Sequence, residues 1–565
     1  MINTTTTDFD AIVIGSGISG GFAAMELCTK GYKTLVLERG RNVDHGDYPT
    51  AMMDPWDLPH QDRVPQEEIA KHYAKQDRLN WWVRQANKHW INKDDEYPYQ
   101  EVERFDWIRG HHLGGRSLMW GRQCYRFSDI DFEANKKEGI AIDWPIRYAD
   151  LEPWYNYVET FVGVAGQKEN LKQCPDGVFL KPFPLNCAEQ HLREKVAEKF
   201  PDRVVTPGRV ANLSEYKPEV HKGKRGQCMS RDRCIRGCPF GAYFSSQSAT
   251  LPVAEQTGNL TLRPNSIVQQ ITYDAETGKA TGVLIKDAVT GEQLIISARI
   301  IFCNASTIGT TAILLNSRSE TFPNGLGNSS GELGHNLMDH HYGMGASGIL
   351  PGLENTYYSG RKPTGFYIPR FTNIDETTKK DYLRGFGYQG TARRIHNSPE
   401  GVFGKDLKDV VFSPGAYSIS MTCFGEMLPY HENRMYLDFS KTDAHGMPLI
   451  TFDAKLRENE HKLREDGVKC AVEMLEAAGC TNITSYNSAT APGACIHEMG
   501  TARMGRDPKT SVLNKWNQMH DVPNVFVTDG ACMTSSGTQN PSITYMALTA
   551  RAVDYAHQQI LAGKL

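Results

Sequence analysis

The chain has 565 residues and a mass of 63.3 kDa, with 62 Lys and Arg against 66 Asp and Glu, a formal charge of −4 at pH 7 and a sequence pI of 6.5. So even a balance gives no electrostatic footprint for nucleic acid or an anionic membrane surface. With 40% hydrophobic residues the chain can build substantial cores, in two or three domains of the usual ~100–200 residues, and no run approaches the ~18 apolar residues of a membrane span.

Met1 to Asp10 carries no cation ahead of the first apolar run, and the first lysine is Lys30, which does not fit a signal peptide. Ala11 to Ile14 reads as a short buried strand, Gly15 to Gly20 as a glycine turn into a helix, and Thr34 to Leu37 as a second strand ending at Glu38. The spacing Gly15-x-Gly17-x-x-Gly20 lets backbone approach a pyrophosphate at the helix amino end, and an acid 18 residues after Gly20 can accept hydrogen bonds from ribose hydroxyls. This βαβ opening points to a dinucleotide and leaves FAD and NAD open. The tryptophans Trp81, Trp82 and Trp90 read as core more readily than as a subunit-facing patch. The doublets His111-His112 and His340-His341 belong to no deciding motif and are read first as structural.

Thirteen cysteines, an odd number in a long chain, do not make a disulfide framework, so most are expected as thiols. Cys228-x5-Cys234-x3-Cys238, followed by Pro239, is different: three thiolates within eleven residues can converge on one inorganic centre. An iron-sulfur cluster, zinc with His221 as a fourth ligand, and unligated thiols are the alternatives. From Thr261 to Asn304, strand-like runs alternate with turns, a meander set between parallel strands. The texture changes between about 341 and 490, as for a separate domain. Asn524 to Thr528 is a buried strand ending at Asp529-Gly530, and a helix begins near Pro541.

Gly114-Gly115-Arg116-Ser117-Leu118-Met119-Trp120-Gly121, His497 to Gly505, Asp529-Gly530 and Ser536 to Pro541 resemble the glucose-methanol-choline family of flavin oxidoreductases, as do Asp143 to Ile146 and Asp150 to Pro153. The likeness runs over nearly the whole chain. It implies an α/β fold (α+β overall): a Rossmann-like, discontinuous FAD-binding domain of residues 1–50, 100–150, 205–340 and 491–565, including the cysteine loop 226–241. A mixed-sheet substrate-binding domain of 51–99, 151–204 and 341–490 completes it. The implied FAD-binding residues are Gly15, Ser16, Gly17, Gly20, Glu38, Arg39, Gly114, Gly115, Ser117, Val268, Asp529, Gly530 and Asn540.

The resemblance also makes His497 the base that takes a hydroxyl proton while hydride goes to the flavin, with Asn540 as its partner. Alcohol oxidation needs such a pair, a base near the operating pH and a second group fixing the hydroxyl. Read alone, His497 is more often a surface or core histidine, and Asn540 before Pro541 is also the pattern of a helix N-cap. Where some family members link FAD covalently through histidine, this chain has Met119, so the expectation is non-covalent FAD.

The cysteine spacing resembles bacterial FAD-dependent sugar dehydrogenases of this family. That implies a 3Fe-4S cluster on Cys228, Cys234 and Cys238, a small partner subunit, a cytochrome c-type acceptor, and a periplasmic site reached by co-export with the partner; the alternative is cytoplasmic. Gly115 to Gln123, Tyr125-Arg126 and Asp129 to Glu133 are similar to glucoside or hexose 3-dehydrogenases, implying a sugar or glycoside substrate oxidised at C3 to a ketone. An oxygen-using oxidase and a non-redox flavin-containing lyase are the rival readings. No nucleic acid and no membrane span are expected.

Overall fold

The computed structural model describes residues 3–79, 82–358, 364–395, 400–488 and 490–565. Two four-residue runs with every position buried, Ala11 to Ile14 and Thr34 to Leu37, pair in parallel register from Ala11 with Thr34 to Ile14 with Leu37. Strands buried on both faces belong inside a layered α/β sheet. Here the sheet has seven strands. In spatial order they are Leu260–Arg263, Thr34–Leu37, Asn3–Ile14, Gln293–Cys303, Lys279–Asp287 and Ser266–Asp274, with Val525–Phe526 pairing beside the last part of Gln293–Cys303.

The first four strands are parallel and the last two are the antiparallel meander expected from the turn residues. The divergence is built on one strand. The first half of Gln293–Cys303 holds the meander, whereas Ile301 and Phe302 pair in parallel with Val525 and Phe526. That brings the carboxy-terminal segment, and Asp529 after it, to the same edge as the glycine turn. Helix Ile18–Thr29 then packs against helix Ser542–Leu561 and helix Thr250–Gln256.

A second, antiparallel sheet of six strands runs in the order Thr481–Asn487, His341–Leu350, Tyr417–Gly425, Phe386–Arg394, Phe366–Ile368 and Thr206–Pro207. Its strand Tyr417–Gly425 alternates strictly: Tyr417, Ile419, Met421 and Cys423 are buried, and Ser418, Ser420, Thr422 and Phe424 are half-buried. Period-two patterning of this kind gives a sheet one apolar face. Helices Glu458–Ala477 and Cys187–Lys199 cover that face, contributing Leu463, Met474, Leu192 and Val196 to its core. The polar face is left for the site. A small third sheet joins Arg434–Thr442, Pro448–Asp453 and Gln100–Glu101.

The boundaries expected from sequence are redrawn by packing. Thr206–Pro207, placed above in the first unit, extends the six-stranded sheet. Segment 151–204 divides: helix Tyr148–Val162 buries Leu151, Tyr155, Val158 and Val162 in the first core against helix Ser542–Leu561, and only Cys187–Lys199 joins the second. Segment 51–99, placed with the second unit, packs Val64, Tyr73, Trp82 and Trp90 with Tyr48, Ile108, Leu118 and Met119. It also adjoins the cysteine loop, because Arg231 and Arg236 donate to the carbonyls of Ala51 and Met53 and Arg233 pairs with Asp54. Trp82 and Trp90 are core, as read; Trp81 lies outside the described residues. No helix among the described residues is long and apolar enough to cross a membrane.

Candidate active site

A cavity of about 580 Å³ opens where the seven-stranded sheet meets the polar face of the second sheet. Eleven of the thirteen expected FAD residues line it: Gly15, Ser16, Gly17, Glu38, Arg39, Gly115, Ser117, Val268, Asp529, Gly530 and Asn540. Gly20 and Gly114 do not, and their geometry shows another need. A Cβ on Gly20 would lie 1.9 Å from the Gly15 carbonyl oxygen, so only glycine lets helix Ile18–Thr29 close on the first strand. Gly114 takes φ +84° and donates its N–H to Ser16 Oγ, tying the second glycine cluster to the first.

Gly20→Ala is therefore expected to cost about 1–3 kcal/mol through overpacking and to yield protein that carries less flavin. Thermal unfolding and flavin content measure both; a variant unchanged in each would contradict the packing role.

Does this cavity fit a dinucleotide? A Cβ on Gly17 meets nothing within 4 Å, and one on Gly115 would sit 3.5 Å from Gly17 Cα, so two bare backbones face each other across the opening. Glu38, at the end of the second strand, accepts from Ser16 Oγ at 2.5 Å and from Gly40 N–H at 2.8 Å. Burial raises its pKa above the ordinary carboxylate value. Buried polar atoms of five cavity residues, Arg39 Nε, Arg109 Nε, His111 Nδ1, Asn304 Nδ2 and Tyr545 Oη, have no partner among the described residues. Unpaired buried polar groups are costly, which suits a polar cofactor laid along them.

At the other end of the cavity two segments meet by a backbone exchange between Met338 and Met499, at 2.9 Å in each direction. The pairing places Asp339 and His340 beside His497. Asp339 accepts the N–H groups of Gly493, Cys495 and His497 at 2.8, 3.0 and 3.0 Å. Those three bonds hold a loop in which Ile496, a β-branched residue, takes φ +63°, a conformation that persists only where its surroundings over-determine it. Burial and the neighbouring Glu498 raise the Asp339 pKa to about 7.

The His497 ring is held on both sides. Its Nδ1 lies 2.8 Å from His340 Nδ1 and 3.3 Å from Cys495 Sγ, and its Nε2 lies 3.2 Å from Asn540 Nδ2. Burial, then the neighbouring His340 ring and the Arg116 charge, press the His497 pKa well below the usual imidazole value, so the ring is neutral at pH 7. Arg116 forms an ion pair with buried Glu498 at 2.8 Å and donates to Ser306 Oγ at 2.6 Å. Burial raises Asp529 to about 6.

Asn540 makes no side-chain cap on helix Ser542–Leu561. The capping alternative is thus replaced by contacts within the site: besides its bond to His497, Asn540 Oδ1 accepts from Gln389 Nε2 at 2.7 Å. Of the two histidine doublets, His111 lines the cavity, His112 packs on Trp90, His340 touches His497, and His341 Nε2 donates to the Glu426 carbonyl. Met119 also lines the cavity.

None of the thirteen cysteines forms a disulfide. Cys228, Cys234 and Cys238 share one loop, and the Cys228 thiol is raised by burial and by the other two. The one set of three His, Cys or acidic ligand atoms within 4.8 Å of one another, among the described residues, is His340, Cys495 and His497. The loop cysteines with His221 are not such a set. Donors do surround the loop: buried Arg225, beside Cys238, has an unpartnered Nη1, and the Asn212 amide faces Cys228. Ile235, next to Cys234, lines the cavity itself.

The sequence pattern of the GMC oxidoreductases matches residues 9–342 and again 429–549. The chain belongs to the GMC oxidoreductase family. It is 29% identical to the 2-methyl-1,2-propanediol dehydrogenase of Mycolicibacterium austroafricanum over 98% of this chain and 96% of that one. With the fructose dehydrogenase large subunit of Gluconobacter japonicus it shares 26% identity over 98% of both. The fold matches pyridoxine 4-oxidase from Mesorbium loti with a TM-score of 0.58 at 14% identity, covering 97% and 99% of the two chains. Family and cavity together support FAD in this GMC oxidoreductase. His340, Gln389 and Asp339 are site residues that no sequence motif marked, and Arg116 stands in the second glycine cluster, which gave it no role of its own.

Proposed function

We propose that this GMC oxidoreductase is an FAD-dependent dehydrogenase that oxidises a secondary hydroxyl of a sugar, C3 of a hexose or glucoside, to the ketone. The observation that carries the substrate class is the polar sheet face on the cavity. Gln389 stands directly opposite Thr422, and Thr391 opposite Ser420, in register on neighbouring strands, and all four line the cavity. Such a wall of amide and hydroxyl groups suits a polyhydroxylated molecule, whose own hydroxyls need partners once water is excluded. That two relatives are named for a diol and for fructose agrees with this reading.

Bound FAD, held non-covalently because Met119 offers no imidazole for a link, supplies the acceptor for the hydride leaving the hydroxyl-bearing carbon. His497 Nε2 takes the hydroxyl proton, and its lowered pKa keeps it ready to do so at neutral pH. Asn540 lies against that nitrogen and helps fix the hydroxyl. Gln389 holds the Asn540 amide. Tyr342 and Phe424 add aromatic surface to the cavity lining.

Cys228, Cys234 and Cys238 would hold a 3Fe-4S cluster, which supplies one-electron transfer toward a small subunit and a cytochrome c-type acceptor. The unpartnered Arg225 donor suits an anionic group there, and Ile235 joins the loop to the cavity wall. A periplasmic site, reached by export with the partner, goes with this assignment; the alternative is cytoplasmic. Cys234→Ser is expected to leave sugar-driven flavin reduction intact, to abolish the cluster's electron paramagnetic resonance signal, and to drop cytochrome reduction to background. Peroxide formed in step with sugar consumption would favour the oxidase alternative, and undiminished cytochrome reduction by Cys234→Ser would remove the relay.

A further inference from the structure

Two hydrogen-bond chains meet on the His497 ring, and each settles where its proton sits. On one side, His340 Nε2 lies 2.7 Å from the Gly537 carbonyl oxygen. A carbonyl only accepts, so this nitrogen carries the hydrogen. Burial drives the His340 pKa down to about 4, leaving a neutral ring with its lone pair on Nδ1. That lone pair is 2.8 Å from His497 Nδ1, and a bond forms there only when His497 Nδ1 bears the hydrogen. Cys495 Sγ, 3.3 Å from the same nitrogen, is a weaker second acceptor.

On the other side, Gln389 Nε2 donates to Asn540 Oδ1 at 2.7 Å, which turns the Asn540 NH2 toward the imidazole. That NH2 group lies 3.2 Å from His497 Nε2. A donor facing Nε2 requires that nitrogen to be bare. Both chains therefore select one tautomer, and they do so through residues 157 and 43 positions away in sequence.

We infer that His340 is a positioning residue that, backed by the Gly537 carbonyl, locks His497 in the Nδ1-protonated tautomer and thereby makes Nε2 the atom that takes the substrate proton. The inference rests on the reading of His497 as the base. One proton moves in the step, from the substrate oxygen to Nε2, and the O–H bond breaks as the N–H bond forms. The imidazolium produced then donates a charge-assisted hydrogen bond to His340 Nδ1, stronger than the neutral one it replaces. Without His340 the ring can turn and the proton can redistribute between the two nitrogens, so only part of the population presents a bare Nε2.

The test compares His340→Leu, His340→Gln and His497→Gln with the wild-type holoenzyme, by anaerobic rapid mixing with the sugar substrate and by nitrogen-15 spectra of histidine-labelled protein. His340→Leu is expected to lower the limiting rate of flavin reduction ~10²-fold, with substrate Kd changed less than ~3-fold. His340→Gln, whose Oε1 can accept from Nδ1–H, is expected to recover ~10-fold of that loss. In the wild-type spectrum, the resonances missing from His497→Gln should show a protonated Nδ1 and a bare Nε2. Leu and Gln variants equally slow at full flavin content, or both as fast as wild type, would overturn the positioning role, as would a proton found on His497 Nε2. If His340→Leu loses its flavin, the wild-type spectrum alone decides. Rapid flavin reduction by His497→Gln would instead defeat the base assignment, a result distinct from a fully active His340→Leu beside a dead His497→Gln.

Discussion

His497→Ala is expected to slow anaerobic flavin reduction ~10³-fold, about 4 kcal/mol of barrier, while leaving FAD bound. The size follows from what the ring does. A hydroxyl-bearing carbon releases hydride readily only as its oxygen loses a proton, and in the proposed reaction the acceptor is neutral His497 Nε2, with Asn540 3.2 Å from it and His340 2.8 Å from the ring's Nδ1. Flavin retention follows from the division of the site, because the glycine turn, Glu38 and Arg39 lie at the opposite end. The check is single-turnover bleaching with flavin content measured on the same sample. A rate within tenfold of wild type would show that the proton leaves by another route.

Arg116→Gln is expected to destabilise the protein by about 3 kcal/mol and to shift the pH dependence of flavin reduction. Its partner Glu498 is fully buried and the guanidinium only 23% exposed, so the substitution strands a buried carboxylate. The sign of the pH effect follows from the charges. After burial, the Arg116 cation helps press the His497 pKa down. Removing it lets that pKa rise, and since the base works only when unprotonated, the acid limb of the rate profile moves to higher pH. In the wild type the limb set by His497 lies below pH 6.5, the ordinary histidine value. Rapid-mixing profiles and thermal unfolding measure the two effects. An acid limb unmoved, or moved to lower pH, would contradict the electrostatic account.

The parts legible in the sequence are those written in local spacing. Gly15 and Gly20 announce their turn because a positive φ at the first and the close approach of helix to turn at the second demand glycine, Gly17 leaves its backbone bare to the cavity, and Glu38 follows because the second strand ends there. The cysteine trio is legible for the same reason. What depends on distant pairing is not. His340 reads as one half of an unremarkable doublet, since its role exists only after Met338 and Met499 bring two segments together. Gln389 is one polar residue on a strand until its register with Thr422 is known. Asn540 before Pro541 reads as a helix cap by local rules, and the tertiary contact with His497 overrides them. Helix Tyr148–Val162 packs in the first core, which its sequence does not show, because chain order says nothing about which core an apolar stripe faces.

In the proposed reaction a neutral imidazole and bound FAD together oxidise a sugar hydroxyl in this cavity. Purified protein mixed without oxygen with a hexose or its methyl glucoside measures it most directly. The protein is expected to be yellow and to lose its oxidised-flavin absorption on mixing, with one equivalent of keto sugar formed for each flavin reduced. An absorption band unchanged by every sugar and simple alcohol offered would contradict it.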